Sequence, residues 1–489
     1  MIFGVAVGII IGALPGLSAS MGLALMLPVT FGIDPITGML LLLGVYCGGI
    51  YGGSITAILL KTPGTAASAA TVEDGNYLAR HGKASLALNM SIYASVAGGL
   101  ISGLALLLFA PQIAKIALEF GPPEYFMIAI FGLTIIAGVS GKSLLKGVIS
   151  GCIGMLIATI GMDPVTGTFR FTFNQIYLSS GISIISVLIG LFAISEVFNQ
   201  LERRVKSVSV DSQFKHEKFG WKNMLPYKKT VSKSSLIGVI IGAIPGAGAA
   251  VSSFVSYSEA QRTSKDPDSF GKGNLHGVAA SEAGNNGATG GTLIPTMSLG
   301  IPGDIASAVL LGGLLIQGLS PGPRLFTQNG EFVYAIIVGF IVVNIIMFIV
   351  AKLAVRMFAR ISTVKPSILF PCVASLCLVG AFAVSNAMPE VIIALIFGVI
   401  GYVLPKYGFP TIPILIAVIL GPIAEQSLRQ SLILSNNSLL IFVKNPISLI
   451  FFILTIVTIL YPFIKKWITK RGNKKIESNQ YSEGKMNSK

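Results

Sequence analysis

The chain has 489 residues, of which 53% are hydrophobic and only 11% charged, and its mean hydropathy is +0.79. A soluble domain carries about a quarter charged residues, so this composition excludes a soluble globular protein and points to many membrane spans. The net charge of +15 invites a nucleic-acid partner, but the positions of the charges argue against one, because the basic residues crowd short stretches beside apolar segments, as in cytoplasmic loops, rather than one folded face.

In chain order, residues 2–14 form an apolar run that no basic residue precedes. Because residues 1–16 align with 231–246, this run is expected to be a structural helix and not a cleaved signal peptide. It breaks at Pro15-Gly16. Residues 36–72 follow, with Pro63-Gly64 inside them, and then the long apolar stretch 86–110. A first membrane repeat is read over residues 1–200. A polar linker, 201–233, holds Trp221, Pro226 and a basic cluster of Arg203, Arg204, Lys206, Lys215, Lys218, Lys222, Lys228, Lys229 and Lys233. A second repeat, 234–430, opens with a helix broken at Pro245-Gly246. It continues through 277–319, which contains Pro302-Gly303, and the apolar runs 333–353 and 391–404. Residues 431–464 supply a C-terminal transmembrane helix region, with the apolar run 447–464, and 465–489 form a basic cytoplasmic tail expected to be disordered. The alternation of a lipid-facing barrel is absent, so the spans are predicted to be helices.

The two repeats share ordered motifs. Gly12-Ala13-Leu14-Pro15-Gly16 returns as Gly242-Ala243-Ile244-Pro245-Gly246, and Tyr51-Gly52-Gly53-Ser54 as Thr289-Gly290-Gly291-Thr292. Pro63-Gly64-Thr65-Ala66-Ala67-Ser68-Ala69 returns as Pro302-Gly303-Asp304-Ile305-Ala306-Ser307-Ala308. Near the repeat ends, Gly161-Met162-Asp163-Pro164 corresponds to Gly408-Phe409-Pro410, and Gly190-Leu191-Phe192-Ala193 to Gly421-Pro422-Ile423-Ala424, each of the latter pair followed by a glutamate, Glu196 or Glu425. Helix breaks at matching points of two halves point to a transporter binding site. With arms of about 20 residues or fewer beside each break, 36–72 and 277–319 are read as re-entrant hairpins, against the plainer reading of kinked ordinary helices. A cytoplasmic linker and tail require the second repeat plus the last helix to cross an even number of times, so the second repeat alone crosses an odd number of times. The fold class is therefore an all-α polytopic membrane protein with two homologous, inverted repeats, broken helices and re-entrant hairpins.

The run Gly52-Gly53-Ser54-Ile55-Thr56-Ala57-Ile58-Leu59-Leu60, with Pro63-Gly64-Thr65-Ala66-Ala67-Ser68 and Asp74-Gly75, resembles the large membrane subunit of tripartite tricarboxylate transporters, the TctA family. So does Gly277-Val278-Ala279-Ala280-Ser281-Glu282-Ala283-Gly284-Asn285-Asn286, continuing through Gly290-Gly291, Leu299-Gly300-Ile301-Pro302-Gly303 and Gly318-Leu319-Ser320-Pro321-Gly322-Pro323. The resemblance covers about residues 1–430. It implies a permease of the bacterial inner membrane, a small four-helix membrane partner and a periplasmic solute-binding protein. It also implies cation-coupled uptake of a carboxylate without ATP hydrolysis. Three positions depart from the family pattern: Lys61 stands where a neutral residue, often Asn, is expected, Asp304 where a small residue is more usual, and Ser281 in place of Pro.

A carboxylate needs donors in a dry place, and helix N-termini supply free N–H groups. The arms restarting after Pro63-Gly64 and Pro302-Gly303 offer two, with Thr65, Ser68 and Ser307 adding hydroxyls and Gly64 and Gly303 admitting ligand close to the backbone; breaks made only for packing are the bland alternative. Asn285, Asn286, Thr289 and Thr292 carry oxygens suited to a sodium ion or to substrate hydroxyls, or to interhelical hydrogen bonds. Glu282 is either a proton or cation site or a residue at the membrane boundary. Charged Lys61 and Asp304 inside apolar segments are expected to be functional, Lys61 either binding the substrate carboxylate or pairing with Asp304.

No enzyme constellation appears. His81, His216 and His276 are scattered, and Gly141-Lys142-Ser143 lacks the glycine loop of a nucleotide site. Cys47, Cys152, Cys372 and Cys377 lack metal-ligand spacing and read as buried hydrophobes. No cofactor is expected beyond a coupling sodium ion or proton. The alternative function is a stand-alone anion transporter or channel working without a binding protein.

Overall fold

The computed structural model describes residues 1–14, 16–139, 143–163, 166–203, 219–361 and 366–460. Pro15, Lys142, Pro164, the linker cations between Arg204 and Lys218, His216 and the tail 465–489 lie outside the described residues. The described chain is almost wholly helical, with one two-stranded antiparallel pair, Gly161–Met162 against Phe169–Arg170. The expectation of helices rather than a barrel holds.

The elements in order are α1 (Ile2–Gly12), α2 (Ala19–Met26), α3 (Pro35–Leu60), α4 (Thr71–Leu78), α5 (Ala84–Ala117), α6 (Pro122–Val139) and α7 (Leu144–Ala158). Then come α8 (Ile184–Leu188) and α9 (Ser195–Arg203), joined by a π-helical turn, the four-residue α10 (Trp221–Met224), α11 (Lys228–Gly242), α12 (Gly248–Arg262), α13 (Leu275–Leu299) and α14 (Ile305–Ile316). The last are α15 (Pro323–Gln328), α16 (Gly330–Ile361), α17 (Pro366–Ala383), α18 (Met388–Lys406), α19 (Ile412–Leu434), α20 (Ile441–Lys444) and α21 (Pro446–Leu460). Among them, Pro35–Leu60, Thr71–Ala117, Ile184–Glu202, Gly330–Leu353, Met388–Lys406 and Ile412–Leu434 are long and apolar enough to cross a bilayer.

Local chemistry sets the helix ends. Asp34 caps α3 by accepting from the Thr37 N–H at 3.0 Å, with Pro35 in the first turn, and α3 stops at Lys61, whose φ is +59°. Asn274 caps α13 through the His276 N–H at 2.8 Å, and α13 stops at Gly300, whose φ is +73°. Both helices are longer than the arms expected from sequence: α3 has 26 residues and α13 has 25. At 1.5 Å per residue each reaches about 38 Å, enough to span a hydrocarbon core. The Gly-rich runs in both continue as helix because close neighbours, rather than water, meet the exposed backbone.

The described residues fold into two compact units, each drawing segments from both sequence halves: those within residues 1–119 with 156–407, and those within residues 120–155 with 408–489. In the second unit α19 packs on α6, and Glu124 accepts hydrogen bonds from Asn445 Nδ2 at 3.0 Å and Ser448 Oγ at 2.7 Å. The first unit holds all the residues picked out above for binding or coupling. Its centre is α13, whose residues from Gly277 to Ser298 are all buried, wrapped by α5, α11, α12 and α4.

Glycine makes that packing possible. A Cβ on Gly8 would sit 2.5 Å from the Val45 carbonyl oxygen, and one on Gly48 or Gly52 2.5 Å from the carbonyl oxygens of Val5 or Ile9. Gly4, Gly8 and Gly12 of α1 thus mesh with Gly44, Gly48 and Gly52 of α3 at a spacing of four, the small-residue geometry of membrane helix pairs. In the same way α11 meets α13, where Cβ atoms on Gly242 and Gly291 would lie 2.6 Å from the Ala288 and Val239 carbonyl oxygens.

Two of the four cysteines depart from expectation. Cys47 and Cys377 are buried, whereas Cys152 and Cys372 are exposed on apolar helices. An outward-facing position on a membrane helix is apolar too, so hydrophobicity alone does not report burial.

Candidate functional site

The first break follows α3. Gly64 donates its N–H back to the Gly53 carbonyl at 3.3 Å, and Thr65 starts a single 3-10 turn over Ala66–Ser68. The α-helix resumes only at Thr71. Thr65 N–H donates to Ser68 Oγ at 3.4 Å, while the Ser68 hydroxyl donates to the Thr65 carbonyl at 2.9 Å. The second break has the same parts in tighter form. Gly303 accepts from the Gly246 N–H at 2.8 Å. Asp304 caps α14 by accepting from the Ser307 N–H at 2.7 Å, its own N–H donates to Ser307 Oγ at 2.9 Å, and the Ser307 hydroxyl donates to the Asp304 carbonyl at 3.0 Å. Asp-x-x-Ser here is a reciprocal capping box.

These contacts change three expected roles. The hydroxyl hydrogens of Ser68 and Ser307 are engaged by their own backbones and are not open donors for a ligand. The N-terminus of α14 already holds a carboxylate, that of Asp304, where a substrate carboxylate was expected. The Cβ-side space at Gly64 and Gly303 is filled by the chain itself, through the Gly12 and Gly242 carbonyls, with Thr292 Cα also 2.7 Å from the position of a Cβ on Gly303. Here glycine serves helix packing rather than ligand approach.

Lys61 is exposed at the C-terminus of α3 and makes no ion pair among the described residues. Its pairing with Asp304 is absent: Asp304 Oδ1 holds the Ser307 N–H, and Oδ2 accepts from Tyr46 OH at 3.1 Å. A left-handed, non-glycine residue is held at a cost and is a pointer to function. Pro63 is exposed beside it, whereas Pro302 is buried.

The remaining residues gather along α13. Tyr46 on α3 lies 3.1 Å from Thr292 Oγ1 as well as from Asp304, so α3 reaches the second break. Asn285 Nδ2 donates to the Ala67 carbonyl at 3.5 Å, so α13 reaches the first. Asn286 Nδ2 donates to the Glu282 carbonyl at 3.1 Å, and the Thr289 and Thr292 hydroxyls donate to the Asn286 and Thr289 carbonyls at 2.6 and 2.9 Å. The Oδ1 atoms of both Asn285 and Asn286 are buried with no hydrogen-bond partner among the described residues. Unpaired acceptors inside a protein are costly, and these two fit a donor or a cation brought by a ligand.

Glu282 is fully buried. Its Oε2 accepts from Ser54 Oγ of α3 at 2.6 Å and Ser95 Oγ of α5 at 3.0 Å. Its Oε1 shares a hydrogen bond with Thr71 Oγ1 of α4, which lies 2.9 Å from Ser281 Oγ. Sequence reading passed over Tyr46, Ser54, Thr71 and Ser95, since hydroxyls are common in membrane helices and these stand far from Glu282 in the chain; only the buried acid needing donors hinted at them. Among the described residues no group of His, Cys, Asp and Glu could hold a metal ion.

The fold and this buried polar seam define an all-α, multi-pass membrane protein with its polar chemistry inside one helical unit. Residues 1–416 match the tripartite tricarboxylate transporter TctA family. An uncharacterized 52.8 kDa protein in the TAR-I ttuC' 3' region of Agrobacterium vitis is 34% identical over 449 residues, covering 91% of this chain and 89% of that protein. An uncharacterized protein in the TAR-II ttuC' 3' region of the same organism is 31% identical over 242 residues, 50% of this chain and 100% of that protein. No solved structure matches. The chain belongs to the tripartite tricarboxylate transporter TctA family, a family of transporters rather than enzymes.

Proposed function

We propose that this chain is the large permease subunit of a binding-protein-dependent secondary transporter in the bacterial inner membrane. It imports an organic carboxylate, driven by a cation gradient, together with a small four-helix membrane subunit and a periplasmic solute-binding protein. The observation that carries the reading is the pair of unpaired buried oxygens, Asn285 Oδ1 and Asn286 Oδ1, on a helix that links both breaks. Such oxygens suit a substrate hydroxyl or a cation such as sodium, with the oxygens of Thr289 and Thr292 beside them. Lys61, exposed and without an ion pair among the described residues, is a cation that would meet the carboxylate as it enters.

The two halves are read as inverted repeats. Supporting the repeat, though not its orientation, α3 and α13 end in left-handed residues, Lys61 and Gly300, and each break then carries a Thr/Ser or Asp/Ser box at matching positions. The test is uptake of labelled carboxylates by cells expressing the chain with its partner subunits. Saturable accumulation that collapses with the ion gradients is expected, and uptake that never saturates would remove the reading. Lys61→Asn keeps a residue that tolerates the left-handed backbone and should raise the apparent KM severalfold; an unchanged KM would take Lys61 out of the substrate path.

A further inference from the structure

We infer that Glu282 carries the coupling proton of this permease, held as a neutral acid in the conformation described here. The inference rests on the transporter reading above and deepens it by naming the particle and its carrier.

The burial of the residue and the groups around it supply the argument. Glu282 lies wholly inside the protein, and its contacts are hydroxyls: Oε2 accepts from Ser54 and Ser95, and Oε1 meets Thr71 Oγ1, which lies 2.9 Å from Ser281 Oγ. A hydroxyl can accept as well as donate, so a proton on Oε1 has Thr71 Oγ1 as its acceptor while Ser54 and Ser95 still donate to Oε2.

The surroundings agree. Tyr51 on α3 is close enough to feel the charge of Glu282, and its buried hydroxyl has no hydrogen-bond partner among the described residues. On α4 the nearest carboxylate, Asp74, is turned away to Tyr257 OH of α12 at 2.8 Å and to the Gly273 and Asn274 N–H groups at 2.8 and 2.7 Å. The partners from α5 are serines; of the charged groups of α11 and α12, Lys233 and Arg262 pair with Glu259, and Lys228 and Lys229 are exposed in the first turn of α11. Among the described residues no Lys, Arg or His forms an ion pair with Glu282. A bare carboxylate buried this way lacks the partner that offsets its desolvation. The balanced step is simple: the Glu282 carboxylate takes one proton from water on one side of the membrane and returns it to water on the other.

Two measurements test this. Infrared difference spectra of the purified chain against Glu282→Gln should show, at neutral pH, the carbonyl stretch of a protonated carboxyl that the variant lacks; an ionised carboxylate signal in its place overturns the proposal. In cells carrying the partner subunits, an imposed pH gradient should drive accumulation of labelled citrate or another transported carboxylate by the wild type, and Glu282→Gln should lose that accumulation at an unchanged melting temperature. Wild-type uptake that follows only a sodium gradient, or a Glu282→Gln variant that still responds to the pH gradient, overturns the proposal and leaves the transporter reading standing. Absence of gradient-driven carboxylate uptake from the wild type under any gradient would instead remove the transporter reading.

Discussion

At the scale of single residues, Asp304 shows how one side chain can serve two neighbours. Its Oδ1 caps α14 through the Ser307 N–H, and its Oδ2 receives Tyr46 OH from α3. Asp304→Ala removes the cap and should destabilise the protein by about 0.5–2 kcal/mol, read as a lower midpoint in denaturant titrations of the detergent-solubilised chain. Asp304→Asn keeps an oxygen at the capping position and should cost less than half of that. If both variants lose equal stability, the charge matters more than the cap. The Asp-x-x-Ser pattern was legible in the sequence as a capping signature, yet a charge in an apolar segment invited a ligand role instead. Glu282 marks the opposite limit: its need for a partner was visible, but its donors on three other helices were not, since nothing local distinguishes Ser54, Thr71 or Ser95 from other hydroxyls.

Helices show a similar division. The breaks at Pro63-Gly64 and Pro302-Gly303 could be placed from sequence because proline and glycine act locally. The lengths of α3 and α13 could not, because glycine-rich helix persists only where another backbone lies against it, and that neighbour is distant in the chain. The spacing-of-four glycines on α1 and α3 were present in the sequence as a signal and define the closest of these contacts. Gly8→Val would push a side chain into the Val45 backbone, where Cβ alone already comes within 2.5 Å of its carbonyl oxygen. A loss of about 1–3 kcal/mol is expected for such overpacking. Gly151→Ala on α7, where a Cβ would meet nothing within 4 Å, should be neutral or gain about 0.5–1 kcal/mol from helix propensity. Thermal melts of the two variants in one detergent check the contrast, and equal behaviour would mean that α1 and α3 can separate without penalty.

Across the whole molecule, the sequence halves are not independent folding units. The acid on α13 of the second half takes its hydrogen bonds from Ser54, Thr71 and Ser95 of the first, and α5 of the first half runs along α13 with Gly98 and Gly290 at the contact. Either half alone leaves Glu282 or its donors buried without partners, or exposes α13, which is too polar to face lipid. Covalent connection through the linker contributes far less, since tethering two segments changes their association only through the entropy of closing a loop, about 0.6 kcal/mol for each doubling of its length. A chain cut within residues 204–218 and expressed as two pieces from one cell should therefore assemble, co-purify and retain the melting profile of the intact protein, whereas each piece expressed alone should aggregate or be degraded. Affinity purification through a tag on the first piece, followed by protease challenge, reads the outcome. A first piece that is monodisperse and protease-resistant by itself would show that the interlocked seam around Glu282 is not what holds the two halves together.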